Sequence, residues 1–167
     1  MRDFPETAQR QEQARDGRFP RKNIIYLLTV KASVAFLHEH DTLRQGLEKM
    51  RHSRYTAMPV VREDGAYAGT VSEGDFLWHM LDKDECALKA QEELRISHIL
   101  RHGWNPAVKI NATIDELLLR VMEQNFVPVV DDREKFMGII TRKSVIQYYY
   151  GFLINENTVS DASSNLA

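Results

Sequence analysis

Apolar positions along this chain change period several times, and the same succession of periods occurs twice. Leu43, Leu47 and Met50 stand at i, i+4 and i+7 behind an Asp41-Thr42 start signal, which predicts a helix with one buried face. Ile114, Leu117, Leu118, Val121 and Met122 repeat that pattern behind Ala112-Thr113. A short strand is expected ahead of each helix, near Val34–Leu37 and near Val108–Ile110. Two strands joined by a tight turn should follow each one. The first pair flanks Glu63-Asp64-Gly65, and the second flanks Asp131-Asp132-Arg133-Glu134. A further helix then starts at Ser72 or Thr141. It carries Phe76, Leu77, Met80 and Leu81 in one copy and Val145, Ile146, Tyr149 and Tyr150 in the other.

The spacing makes this a duplication. Pro59 precedes Gly69 by ten positions, Pro128 precedes Gly138 by ten, and Ser72 and Thr141 each follow their glycine by three. The order strand–helix–strand–strand–helix, taken twice, predicts an α+β fold. One such unit leaves a sheet face it cannot cover, so the two copies should pack sheet to sheet with pseudo-two-fold symmetry. Ile24–Leu28 and Ile96–Leu100 match each other, and each is expected to form a helical turn leading into its own copy. The expected divisions are a polar leader over 1–22, a first repeat over 23–82, a charged linker over 83–95, a second repeat over 96–153 and a polar tail over 154–167.

Composition narrows the function. The 167 residues carry a net charge of −2, which gives no overall pull toward nucleic acid or an anionic membrane. No apolar run approaches the ~20 residues of a membrane span, and the leader lacks an apolar signal core. The single cysteine, Cys86, rules out an intramolecular disulfide and fits a cytoplasmic protein.

The hydrophobic-Pro-Val strands, the Gly-x-x-(Ser/Thr) runs with Asp75 and the strand–helix unit before them resemble the tandem CBS-domain pair, or Bateman module. The likeness covers roughly Asn23 to Phe152. It implies two CBS units forming a non-catalytic regulatory module that binds adenine nucleotides between its copies, commonly as a homodimer, and signals to a protein partner. No cofactor is implied. Val34-Ala35, Tyr55 to Val60, Asn125-Phe126-Val127 and Gly138 to Lys143 further resemble small stand-alone CBS proteins of Gram-positive bacteria that bind cyclic di-AMP. There the strand near Ala35 and the Thr56-Ala57 turn would hold adenine, and the basic pair Arg142-Lys143 would meet phosphate. The chain departs from that pattern at Asp75, an acid more typical of AMP or ATP ribose recognition.

The residues can also be read for themselves. Thr141-Arg142-Lys143 puts two cations in the first turn of a helix, where the dipole favours acids. A phosphate would compensate both, and this reading is preferred to simple solvent exposure. Ser72-Glu73-Gly74-Asp75 reads equally as a capping box and as a carboxylate accepting from a ribose diol. Ser144 stands where the second copy would carry its acid, so the two clefts should differ. Residues before proline are pushed toward extended geometry, so Thr56, Ala57 and Met58 before Pro59, and Phe126 and Val127 before Pro128, can present backbone to an adenine edge. Val34, Ala35, Met58 or Ile110 would sandwich the ring, although Met58 and Ile110 are read more simply as core. Tyr55 and Phe126 either stack on a base or pack beside the sheet. His38 and His40 should share a strand face, but with no third ligand they do not define a metal site. No nucleophile-and-base set suggests an enzyme. The rival reading is a ligand-free structural or protein-interaction module.

Overall fold

The computed structural model describes residues 23–83, 88–151 and 154. Cys86 and the expected leader lie outside these residues, as does the tail apart from Ile154. Strands Leu37–His38 (β2), Ala57–Val61 (β3) and Tyr67–Ser72 (β4) form one sheet, with helix Leu43–Ser53 (α1) between the first two and Glu73–Lys83 (α2) after the last. A short helix, Leu88–Glu93 (α3), follows. Strands Val108–Lys109 (β5), Phe126–Val130 (β6) and Phe136–Thr141 (β7) repeat the sheet, with helix Ile114–Glu123 (α4) and a last helix over 142–151 (α5). β2 runs parallel to β3 and β5 to β6, while β4 and β7 return antiparallel. The register of both hairpins shifts at the same place, between Val60 and Val61 and between Val129 and Val130.

The helix starts form as the sequence predicts. Thr42 Oγ1 accepts from Gln45 N at 3.1 Å and Gln45 Oε1 accepts from Thr42 N at 2.8 Å, a reciprocal cap repeated by Thr113 and Glu116. The predicted Val34–Leu37 strand is shorter and later than expected. Val34 N closes a 3-10 turn on Lys31 O, and the Val34 side chain packs between the repeats, so pairing begins only at Leu37.

A second expectation needs correction. The turns Ile24–Leu27 and Ile96–His98 do form, but neither packs in the repeat it precedes. Ile24 lies in the core with Leu117, Val127, Ile140 and Val145 of the second repeat. Ile96 and Ile99 lie in the core with Leu43, Met58, Val71 and Phe76 of the first. The segment after the first turn also supplies a strand, Thr29–Val30 (β1), which pairs antiparallel with β7. Each repeat thus completes its core with a piece of chain that leads into the other.

This crossing explains the two motif glycines. A Cβ on Gly69 (φ +155°) would lie 2.9 Å from Leu100 Cδ1, and one on Gly138 (φ +151°) 2.1 Å from the backbone oxygen of Thr29. A side chain at either place would push the crossing segment off the sheet. Where the sheets meet, Val34, Val61, Phe126, Phe136 and Ile139 form a shared cluster. The two hairpin turns bond to each other through Phe136 N to Gly65 O at 2.9 Å and Tyr67 N to Glu134 O at 3.2 Å.

Candidate functional site

In each repeat the second helix starts against the backbone just before the proline strand. Glu73 N–H donates to Thr56 O at 3.0 Å, and Arg142 N–H donates to Asn125 O at 2.8 Å. Ala57 pairs with Ser72 and Phe126 with Thr141. Tyr55 to Pro59 therefore lie beside Ser72 and Asp75, while Phe126 to Pro128 lie beside Thr141, Arg142 and Lys143. The crossing segments supply the third element. Val34 packs with Phe126 and Ile139 of the second repeat, and Ala57 borders that cluster. Arg101 pairs with Asp75 of the first repeat. Each repeat thus has a candidate cleft at the start of its second helix, with Arg101 brought to the first by the segment that leads into the other repeat and Val34 packed beside the strands of the second.

Several predicted residues offer only backbone to these clefts. Met58 and Val127 are fully buried in the first and second cores, and Pro59 and Pro128 are buried in their strands. Ala35 and Ile110 sit at the margins of the first and second cores. Phe126 is buried in the shared cluster, whereas Tyr55 and Thr56 are exposed.

The second cleft is basic. A hollow of about 440 Å³ is lined by Asn125, Thr141, Arg142, Lys143, Ile146 and Gln147, none of them acidic. Thr141 Oγ1 accepts from Ser144 N at 3.1 Å, and Ser144 Oγ donates to Thr141 O at 2.8 Å, which caps the helix. Arg142 Nε donates to Gln124 O at 3.1 Å, which orients the guanidinium without neutralising it. Among the described residues no carboxylate pairs with Arg142 or Lys143. Lys143 is exposed and Arg142 half-buried.

The first cleft has the opposite character. Asp75 Oδ2 accepts from Ser72 N and from Ser72 Oγ, both at 2.7 Å, so the capping role read from the sequence is present. The other carboxylate oxygen is 2.8 Å from Arg101 Nε. The Arg101 guanidinium in turn lies 3.8 Å over the Trp104 ring. Trp78 Nε1 would stand 3.3 Å from a Cβ at Gly74, where the second repeat carries Lys143. Sequence reasoning missed Arg101 and Trp104. The match of Ile24–Leu28 with Ile96–Leu100 points to position 101, but its partner in the first copy is the uncharged Thr29. A larger groove of about 1080 Å³ runs along the outer side of α4, with Trp104, Lys109, Arg120 and Glu123 on its walls.

The histidines stack rather than converge. The His38 and His40 rings are 5.4 Å apart and nearly parallel, and His40 Nδ1 stands 3.9 Å from Glu63. Among the described residues no three His, Cys, Asp or Glu side chains gather as a metal site would need. Of the Tyr148–Tyr150 run, Tyr149 borders the second core and Tyr150 is exposed.

A duplicated α+β unit, interlocked by crossing segments and carrying one helix start against a proline strand in each repeat, defines a paired module. The family model described as "CBS domain" matches residues 19–82 and 96–151, and the chain belongs to the CBS-domain family. No curated protein matches it. Among solved structures, CbpB in complex with cyclic di-AMP superposes with a TM-score of 0.75 at 19% identity, covering 90% of this chain and 98% of that one. A CBS domain protein from Streptococcus pneumoniae gives 0.72 at 25% identity, covering 88% and 96%. CBSX2 in complex with AMP gives 0.63 at 18% identity, covering 77% and 96%. The paired CBS fold is thus the architecture that this chain shares with all three.

Proposed function

We propose that this chain is a non-catalytic CBS pair that binds an adenine nucleotide between its repeats, with cyclic di-AMP ahead of AMP, and passes the binding state to a protein partner. The observation that carries this reading is the Arg142-Lys143 pair at a helix start. Two cations without a carboxylate partner border a hollow large enough for a phosphate and part of a nucleoside. The structures of CbpB with cyclic di-AMP and CBSX2 with AMP support the ligand class. A ligand shifts a conformational equilibrium only if it binds two states unequally. One that touches a helix start and a crossing segment touches both halves of the chain and so meets that condition. Exposed Leu119 and Met122 on α4, Leu77, Trp78 and Leu81 on α2, and Ile146 and Tyr150 on α5 offer apolar surface for a second copy or a partner.

The reading is tested by a thermal-shift panel of AMP, ADP, ATP, cyclic di-AMP and S-adenosylmethionine. At a hundredfold excess over Kd the melting temperature should rise by about 5–10 °C for the preferred ligand. No rise with any member at millimolar concentration would favour a ligand-free interaction module. Asp75→Asn should lower AMP affinity more than cyclic di-AMP affinity, because only AMP offers a vicinal diol to that carboxylate. Equal losses in calorimetry would remove the diol role.

A further inference from the structure

The first cleft contains an ion pair that has no counterpart in the second. Arg101 Nε lies 2.8 Å and Nη2 3.4 Å from the two oxygens of Asp75, whose side chain is 9% exposed against 49% for Arg101. The arginine is not a loose surface contact, because its segment is pinned on both sides. Leu100 fills the space over Gly69. Asn105, buried and at φ +53°, accepts from Tyr67 Oη at 2.8 Å through its backbone oxygen and donates from Nδ2 to Thr70 Oγ1 at 3.3 Å. Burial also holds the Tyr67 phenol well above its usual pKa, so it stays a donor. Between these two anchors, Trp104 backs the guanidinium at 3.8 Å.

We propose that Arg101 is the specificity-determining residue of the first cleft, its ion pair with Asp75 standing in for a 5′-mononucleotide. The proposal rests on the nucleotide reading above and names which nucleotide this cleft takes. A nearly buried carboxylate stays compensated only while it has a cation or hydrogen-bond donors. A 5′-nucleotide supplies both replacements at once. Its ribose diol donates to Asp75, and its phosphate receives the displaced guanidinium, which matches an oxyanion in a two-pronged fashion. A nucleoside offers the diol but leaves Arg101 without an anion. A 3′,5′-cyclic dinucleotide brings phosphate but has no vicinal diol, so it is directed to the basic second cleft. The two clefts thereby sort mononucleotides from cyclic dinucleotides.

The test uses the full chain with both tryptophans in place, of which Trp104 stands beside Arg101. AMP and adenosine are titrated by fluorescence, with calorimetry alongside. AMP should bind at least about tenfold tighter than adenosine. Arg101→Gln should bring the two within about twofold, by weakening AMP and strengthening adenosine. Arg101→Lys, which keeps the charge, should retain most of the preference. If Arg101→Gln binds AMP with its preference over adenosine unchanged, or loses both ligands equally while melting normally, Arg101 has no such role and the nucleotide reading stands. If the parent responds to neither ligand by either method, the first-cleft proposal falls; if it also gives no response to cyclic di-AMP, the nucleotide reading falls with it.

Discussion

Ile96→Ala is expected to lower the unfolding free energy by about 2–5 kcal/mol, seen as a single urea transition moved to lower midpoint with unchanged slope. By sequence Ile96 belongs to the lead-in of the second repeat, so a reader of the chain alone would expect the damage there. Instead its side chain is fully buried among Leu43, Met58, Val71 and Phe76. The fit is close. A Cβ on Gly46 would lie 2.7 Å from Ile96 Cδ1 and 2.9 Å from Phe76 Cζ, so α1 is bare at that point to admit both. Removing the side chain leaves a void under a helix that has nothing to fill it. Backbone bonds such as Ile96 N to Asp41 O at 2.9 Å hold the turn in place and limit collapse into the gap. A loss below about 1 kcal/mol would show the turn to be peripheral to the first core.

Arg142→Ala should weaken cyclic di-AMP binding by about 1.5–3 kcal/mol, roughly 10- to 150-fold. The side chain is half-buried and oriented by Gln124 O, so little freedom is lost when it grips a phosphate. Lys143→Ala should have a smaller effect, because Lys143 is exposed and its ammonium is a point charge without the guanidinium's fork. Affinity should also fall with added salt, since exposed charges are screened over roughly 8–10 Å at 0.1–0.15 M. Calorimetry with unchanged affinity for the alanine variant would take Arg142 out of the site.

The repeated unit, its helix caps and its hairpins were legible because each is written in neighbouring residues. Thr42 and Thr113 cap as their sequence contexts require, and Pro59–Gly69 and Pro128–Gly138 keep one spacing. What the pattern could not reveal was destination. The apolar run Ile24–Leu28 announces that it is buried, but periodicity carries no information about which core receives it. The same holds for Arg101: its partner Asp75 is twenty-six positions away and its backing ring lies in a loop without periodic signal. The Ser72–Asp75 run reads equally as a cap and as a diol acceptor; the cap forms, and it explains one carboxylate oxygen. The second oxygen required coordinates. Met58 and Val127 mark the converse limit, since standing before or beside a proline says nothing about which way the side chain points.

The exchange of lead-in turns also sets an order of events during synthesis. A chain leaving the ribosome at ~5–20 residues per second has made the whole first sheet before Ile96 and Ile99 exist. That sheet must therefore wait, its interior unsealed, for the start of the half that follows it. Ile24 waits longer still, because the strand carrying Ile140 is made more than a hundred residues after it. A truncated product ending near the linker would be an open half and a target for chaperones or proteases, not a smaller folded module.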